Sequence, residues 1–461
     1  MFALSWRCSR RALDPNRPRR AVALGVAVAI ALTGSAGAQS TATVRPSPDT
    51  TATRLGDLYR RVEAVSPRIA AARSLALAAR ARVPGTTRPP DPQLQLGWMN
   101  YSLPNVAPMP TVGMTQLQVM QMLPLGGKLA LSGRTASAQA SASSERANDV
   151  VWELRNQTAM AFYDLYAAEQ NLGVARETLR LLQDIETTAE SMYRVGEGRQ
   201  ADVLRAQVEI AKMVEDTLRM MAMRQSMLAR LDALLDRPAE SALGAVALPE
   251  FPDSVPASAT VEALALDDRP MIRAGLDDVR AAEASEKLAR KEIWPDLQIG
   301  VQYAQQGSAM GTGTERMGSL MVGASIPVFA RDRQLQMRDE ATAMRQMAQA
   351  DVAAMRADTR GRIGEAYASL SRARNLARLY RTTLLPQAEA TVASALAAYR
   401  VGTVDFMTLL DDQMTVNKYR QELYTLDADQ GKAWAELEML SGHELFDPNH
   451  TAAIAAARGA R

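Results

Sequence analysis

The sequence predicts a mainly α-helical fold with a smaller β portion, assembled from two copies of one unit. Three observations predict it. Four short stretches recur in the same order, at offsets of about 203 to 206 residues, which indicates an internal duplication. Apolar residues alternate with period two in short segments and follow steps of three and four in much longer ones.

The repeated stretches are matched pairs of sequence, and a connection separates the two copies. Residues 236–258 are rich in Pro, Ala and Ser and are typical of such a connection. The pairs are "PDPQLQLGW" (90–98) with "PDLQIGVQY" (295–303), "LPLGGK" (123–128) with "IPVFAR" (326–331), "YDLYAAEQNL" (163–172) with "YASLSRARNL" (367–376), and "YRVG" (193–196) with "YRVG" (399–402).

The N-terminus carries the pattern of an export signal. Basic residues at positions 17–20 precede the apolar run 21–32, and small residues at 36–38 fit a cleavage site. The sequence therefore predicts a signal peptide over 1–38, followed by a flexible segment over 39–53.

Composition excludes several classes of function. The only cysteine is Cys8 and the only histidines are His443 and His450, so zinc fingers and Cys-His nucleophiles are excluded. No Gly-rich phosphate loop or other catalytic constellation occurs, and the chain is predicted not to be an enzyme and to hold no cofactor. A net charge of +2 gives no basic face for nucleic acid.

Each copy is predicted to contain two β-strands. In residues 296–305 the apolar Leu297, Ile299, Val301 and Tyr303 alternate with small or polar residues. This alternation fits a strand with lipid on one side and water on the other, and it equally fits a hairpin of a soluble sheet. The predicted strands are 92–103 and 112–123 in the first copy, and 296–305 and 318–328 in the second.

Long helices make up the larger part of each copy. The first copy, 54–250, is predicted to hold a helix before the strands and long helices over 128–193 and 200–236. The second copy, 251–443, repeats this order with helices over 331–398 and 404–441, followed by a C-terminal tail over 444–461. At 1.5 Å per residue the helix 128–193 is about 100 Å long, beyond the width of a compact domain. Pro386 is expected to break or kink the helix 331–398.

Export, four candidate strands and very long helices together suggest a shared barrel. Open strand edges cannot face lipid, because each unpaired backbone group there costs several kcal/mol. Four strands are too few to close a barrel. Three chains would supply twelve strands, with the helices of all three continuing below as a tube.

The duplicated halves, the "LPLGGK" and "IPVFAR" segments and the two "YRVG" stretches resemble the TolC-type outer-membrane efflux proteins over roughly residues 53–442. The resemblance implies a homotrimer in outer-membrane lipid, with a twelve-stranded β-barrel, four strands per chain, continued by an α-helical tunnel through the periplasm. It also implies a passive duct in a tripartite efflux system. The partners implied are a periplasmic adaptor and an inner-membrane pump of the RND type.

In the resembled family the "YRVG" stretches form helix turns at the periplasmic mouth. The resemblance places acidic residues Asp202 and Asp411 on the ring at the entrance; alternatively, both stabilise helix N-termini. The family's basic residue after the second glycine is replaced here by Val404 and Asp405, and Arg199 or Arg400 could substitute. The predicted gate and adaptor-contact residues are Tyr193, Gly196, Arg199, Asp202, Tyr399, Arg400, Gly402, Asp405 and Asp411.

Methionine is the compositional oddity, with 24 residues. Met99, Met114 and Met120 in the first predicted hairpin are candidate thioether ligands for soft ions such as Cu(I) or Ag(I). The alternative is that they fill irregular packing. The first hairpin also resembles the heavy-metal branch of the family, so metal cations are the expected cargo. Export of drugs or small molecules, type I protein secretion, and a non-pore exported scaffold or adaptor remain alternatives.

Overall fold

A computed structural model describes residues 53–102, 107–108, 113–239, 241, 243–307 and 313–446. The predicted signal peptide and most of the predicted C-terminal tail lie outside these ranges. The described chain is mainly helical and contains one four-stranded antiparallel sheet, which confirms the predicted fold class at the level of a single chain. Within the described ranges, none of the helices is long and apolar enough to cross a membrane.

The two copies of the repeat share one plan, in which two helices precede the strands and long helices follow them. The first contains α1 (Leu55–Val65), α2 (Pro67–Thr86), β1 (Gln93–Met99), the short β2 (Tyr101–Ser102) and β3 (Ala107–Pro108), β4 (Met114–Leu123), α3 (Lys128–Arg194) and α4 (Gln200–Leu234). The second contains α5 (Ser258–Asp268), α6 (Pro270–Lys291), β5 (Leu297–Gly307), β6 (Thr314–Ala324), α7 (Gln334–Leu379), α8 (Leu385–Arg400) and α9 (Phe406–Ser441).

The single helix predicted before each pair of strands is in fact two helices. Ser66 separates α1 from α2 and Arg269 separates α5 from α6, and both residues are extended, with ψ near 120°. A proline follows each of them. Proline disfavours the helical conformation in the preceding residue and lacks the N–H that would continue the helix, yet it is well suited to the first position of a new one.

Pro386 changes the helical pattern within the predicted helix 331–398. A π-helical turn, Tyr380–Leu384, joins α7 to α8 directly before it. The Leu385 N–H bonds to the Tyr380 carbonyl, five residues back. Because Pro386 has no N–H and its ring would clash with the carbonyl four residues earlier, the wider turn accommodates the ring and the chain remains helical to Arg400.

The sheet has the order β1-β4-β5-β6, with every neighbouring pair antiparallel. The pairing of β4 with β5 joins the hairpin of one copy to that of the other. One face is apolar and exposed in the single chain, and β1 and β6 are the outer strands. The exposed apolar side chains of this face are Leu94, Leu96, Trp98, Leu117, Val119, Val301, Tyr303, Leu320 and Val322.

The helices share several hydrophobic clusters along their length. In one of them α3 packs against α1, α4 and α9 through fully buried Leu154, Phe162, Tyr163 and Leu231. Each such side chain stabilises the fold by about 1.5–3 kcal/mol relative to exposure. The long helix α3 is therefore stabilised by packing against its neighbours and not by helix propensity alone.

A buried carboxyl group near the end of α9 makes stability depend on pH. Glu438 is 3% exposed and accepts hydrogen bonds from the backbone N–H groups of Leu445 (2.8 Å) and Phe446 (3.3 Å). Burial raises the pKa of Glu438 to about 7, although both hydrogen bonds and the Arg155 charge oppose the shift. The stabilising contribution is thus fully present below the ordinary pKa of 4.5 and is lost as the pH rises through 7.

We expect the melting temperature of the detergent-solubilised protein to fall between pH 6 and pH 8.5, and the fall to be much smaller in Glu438→Gln. The amide oxygen of Gln can accept the same two N–H groups and does not ionise. Thermal scans across this pH range test the prediction. Parallel profiles for the two proteins would assign the pH dependence to other groups.

Candidate functional site

The two helix turns that contain the "YRVG" glycines lie side by side. We call residues 195–199, between α3 and α4, and residues 401–405, between α8 and α9, the paired turns. One hydrophobic cluster draws on all four helices, so the two helical hairpins are packed together next to the turns. Its buried members are Ala175, Leu182, Ile185, Ala206, Met213, Ala395, Tyr399, Phe406, Leu409 and Leu410.

Glycine is required in both turns by the backbone. Gly196 and Gly402 have φ of 80° and 71°, in the left-handed region. Their N–H groups bond to the carbonyls of Tyr193 (3.1 Å) and Tyr399 (3.0 Å), which satisfies carbonyl groups at the ends of α3 and α8. The repeated sequence is therefore a repeated helix-terminating turn.

The tyrosines that precede the paired turns, at the ends of α3 and α8, differ in exposure. Tyr193 is 46% exposed, whereas Tyr399 at the matching position is 5% exposed. Tyr399 packs edge-on against Phe406, with ring centroids 5.9 Å apart. Val195 and Val401 project into solvent from the turns, each more than 70% exposed. Tyr193, at the end of α3, is thus exposed, whereas Tyr399, at the end of α8, is buried in the cluster that joins the hairpins.

Asp405 caps α9. Its carboxylate accepts hydrogen bonds from the Thr408 N–H (3.1 Å) and the Thr408 hydroxyl (2.5 Å). These bonds lower the pKa of Asp405, and the charge of Arg199 on the other turn adds to the effect. Arg199, at the matching N-cap of α4, makes no capping bond through its side chain. Arg199 of the first turn and Asp405 of the second therefore carry opposite charges, and the Arg199 charge acts on the Asp405 carboxylate.

The predicted acidic pair occupies different positions. Asp202 lies in the first turn of α4, half-buried, and Asp411 lies in the second turn of α9, exposed. Burial raises the pKa of Tyr399, and the charge of Asp202 raises it further, so Asp202 lies near that ring. Arg400 is exposed at the end of α8. Asp202 lies at the N-terminus of α4, as the alternative of helix stabilisation requires, whereas Asp411 lies one turn farther into its helix and the N-cap of α9 is Asp405.

Sequence reasoning missed two residues of this region. Phe406 is 1% exposed and joins the hairpins, and Thr408 completes the cap. A signal was available for the cap, because Asp is one of the residues preferred at helix N-caps. No signal in the sequence distinguished Phe406 from other apolar helix positions.

Replacing Asp405 with Ala is expected to loosen the first turn of α9, whereas Asn should retain most of the cap. The hydrogen bonds favour the ionised carboxylate, so their contribution exists above the ordinary pKa of 3.8 and is lost as the pH falls through the lower folded value. Hydrogen exchange of residues 406–408 at pH 7 should be faster in Asp405→Ala. The difference in melting temperature from the wild type should shrink at pH 3, and an equal difference at both pH values would contradict the assignment.

The predicted thioether residues lie on the sheet, away from the paired turns. Met99 on β1 is directly opposite Met114 on β4, whereas Met120 is at the other end of β4, opposite Gln93 and Gly300. The three do not form one cluster. No group of three or more His, Cys, Asp or Glu side chains that could hold a metal ion occurs in the described part of the chain.

A family model described as "Outer membrane efflux protein" matches residues 58–237 and 262–443, one match for each copy of the repeat. No curated protein sequence matches the chain significantly.

Three solved structures illustrate the similarity of fold. CusC shares 18% identity and a TM-score of 0.73, covering 85% of this chain and 93% of that chain. The Vibrio cholerae outer membrane protein VceC shares 17% identity and a TM-score of 0.71, covering 85% and 96%. The outer membrane channel MtrE of Neisseria gonorrhoeae, in its open state, shares 17% identity and a TM-score of 0.71, covering 85% and 89%.

Proposed function

This chain belongs to the outer membrane efflux protein family, and on that premise we propose that it forms the outer-membrane duct of a tripartite efflux system. It is an efflux channel protein of the outer membrane rather than an enzyme. The finer elements of the proposal are a homotrimer, a gate at the paired turns, a periplasmic adaptor with an RND-type inner-membrane pump, and metal cations as cargo.

The observation that carries the proposal is the open four-stranded sheet with two unpaired edge strands in the single chain. Its exposed apolar face suits lipid, yet β1 and β6 are open edges, and unpaired backbone groups are costly in hydrocarbon. The four strands alternate in direction, so β6 of one chain can pair with β1 of a second chain in antiparallel orientation. Three chains give twelve strands, a number within the range of closed membrane barrels.

The paired turns supply the gate in this proposal. Three-fold symmetry turns Asp202 and Asp411 into rings of three carboxylates each, which attract cations and repel anions. The exposed Tyr193, Val195 and Val401 give the adaptor an apolar contact surface. Arg199 near Asp405 supplies the charge pair that the resembled family places elsewhere in the turn.

Planar-bilayer recordings of the purified protein test the duct and the gate together. The wild type should run as a heat-sensitive trimer and conduct with cation selectivity. Asp202→Asn/Asp411→Asn should lower the ratio of cation to anion permeability several-fold. Asp351→Asn, at an exposed position of α7 about 50 residues before the second turn, is the control and should change nothing. A soluble monomer would overturn the duct, and unchanged selectivity in the double variant would overturn the gate.

The cargo is tested by growth of a deletion strain across graded copper, silver, zinc and cobalt, beside dyes, detergents and antibiotics. Sensitivity confined to metals and restored by the wild-type gene supports the proposed cargo. Sensitivity confined to organic compounds would replace metals with small molecules as the cargo.

A further inference from the structure

The face of the sheet opposite the apolar one is lined by amides and thioethers. The pairing register assigns its members, because directly opposite residues share a face and successive residues alternate. We call this the amide–thioether face. It consists of Gln93, Gln95, Gly97 and Met99 on β1; Met114, Gln116, Gln118, Met120 and Met122 on β4; Gln298, Gly300, Gln302, Ala304 and Gln306 on β5; and Glu315, Met317, Ser319, Met321 and Gly323 on β6.

Every methionine of these four strands lies on this face, and none lies on the apolar face. A methionine that served only as a packing hydrophobe would be expected among the leucines and valines of the other face. Glutamines of the same face are the cross-strand partners of Met114, Met120 and Met122. Gln302 donates a 2.6 Å hydrogen bond to Gln116 on this face. Their position thus requires an explanation other than hydrophobic burial.

Two of these thioether side chains converge on one glycine. Met120 and Met321 are the partners of Gly300 on its two sides. A Cβ at Gly300 would lie 3.2 Å from Cγ of Met120 and 3.5 Å from Cε of Met321. Both side chains therefore lean over the same backbone position from opposite strands. Both are half-buried, whereas Met99 at the far end is 46% exposed.

We propose that Met120 and Met321, meeting over Gly300, bind a soft monovalent cation, Cu(I) or Ag(I). The inference rests on the proposed duct, in which this face lines the water-filled lumen. Thioether sulfur is a soft ligand that selects Cu(I) over hard or borderline divalent ions. Gln93 is the partner of Met120 on β1, so the line of cross-strand partners from Gln93 to Met321 carries no charge.

The chemistry of the pair suits passage rather than storage. Two neutral thioethers bind without releasing a proton, so affinity does not depend on pH as it does for Cys, His or carboxylate ligands. A conducting site must bind strongly enough to admit an ion and weakly enough to release it. Three-fold assembly would place three such pairs at one level of the lumen.

Calorimetric titration of the purified full chain in detergent with Ag(I) tests the proposal, with sulfur coordination read by X-ray absorption at the silver edge. Met120→Leu/Met321→Leu conserves volume and removes both sulfurs. Met344→Leu/Met347→Leu, exposed methionines on α7, is the remote control. Met99→Leu/Met114→Leu tests the other methionine pair of the same face.

We expect one Ag(I) per chain at this level, with affinity equal within twofold at pH 5.5 and pH 7.5, and no binding of Zn(II). The Met120/Met321 variant should lose this site at least tenfold in affinity, while both other variants retain it. The proposal would be overturned if the Met120/Met321 variant still bound Ag(I), or if the Met99/Met114 variant lost binding instead. Loss of Ag(I) binding at pH 5.5 would overturn it as well.

Binding and conduction are measured separately, so their failures are distinguishable. A protein that binds Ag(I) at this pair but forms no channel retains the site and disproves the duct. A protein that conducts but does not bind Ag(I) retains the duct and disproves the site.

Discussion

A Gly431→Ala variant is expected to lose about 3 kcal/mol of unfolding free energy, at the upper end of the range for overpacked cores. Gly431 lies inside α9 where α9 crosses α3. A Cβ at this position would lie 2.3 Å from both Cε1 and Cζ of Tyr163. Tyr163 is 0% exposed and packs against Phe162 and Phe251, so its ring cannot move aside. The two long helices must separate or the ring must leave its rotamer.

Chemical denaturation of the detergent-solubilised protein measures the loss, and Gly361→Ala is the matched control. Gly361 is also inside a long helix, but a Cβ there meets nothing within 4 Å. Removing a helical glycine without a clash should stabilise by about 0.5–1 kcal/mol. The two substitutions are thus expected to have opposite signs. Equal effects would mean that helix propensity, rather than contact with Tyr163, decides the outcome.

A second substitution isolates the contact. In Tyr163→Leu the side chain is shorter, which should create space for the added methyl group at position 431. The double variant Gly431→Ala/Tyr163→Leu should therefore be more stable than the sum of the two single losses predicts. Additive losses would indicate that the two residues do not oppose each other in the wild-type core.

The same contact shows why the fold class could be predicted while the packing could not. Duplication, period-two strands and period-3.6 helices are properties of the chain itself, and they were enough to predict the mainly helical class with four strands. The close approach at Gly431 depends on which residue of a distant helix faces it. From the sequence, one helix is predicted before the first strands, although Pro67 is a local signal for the division at Ser66.

In the candidate sites, too, features set by local sequence could be predicted and features set by packing could not. Glycine with positive φ is a local requirement, so Gly196 and Gly402 could be assigned to turns from the sequence. The burial of Tyr399 beside an exposed Tyr193 could not, since it arises from the packing of two hairpins that the sequence separates by 206 residues. The meeting of Met120 with Met321 also depends on strand register, which the alternating pattern alone leaves open between the two copies.

Lys128 joins the two copies where strands give way to long helices, and replacing it with Met is expected to cost about 2–3 kcal/mol. Its side chain is only 6% exposed. The ammonium group donates to Asp296 Oδ1 (2.8 Å), to the Trp294 carbonyl (2.9 Å) and, more weakly, to Glu292 Oε2 (3.5 Å). Lys128 begins α3 of the first copy, and its three partners directly precede β5 of the second. The Lys128 ammonium group therefore joins the start of α3, the longest helix, to the segment that leads into β5.

Met matches the length of the Lys stem, so Lys128→Met removes the charge with little change in volume. Loss of one partner from a buried ion pair costs 3–5 kcal/mol when the other charge stays buried. Asp296 and Glu292 are 21% and 35% exposed, so water can partly solvate them and the cost should fall below that range. Denaturation measures it, with Lys212→Met as the control. Lys212 is 62% exposed beside Glu209, and the control should change stability by less than 1 kcal/mol.

The decisive comparison is Lys128→Met/Asp296→Asn. If the loss in Lys128→Met comes from an uncompensated carboxylate, neutralising Asp296 as well should recover part of the stability, because the double variant leaves one less unpaired charge. If the loss comes from the hydrogen bond to the Trp294 carbonyl, the second substitution recovers nothing. Recovery would show that the charge pair, rather than the backbone contact, holds α3 to β5, and the junction would then be expected to weaken with added salt only slightly, as buried pairs do.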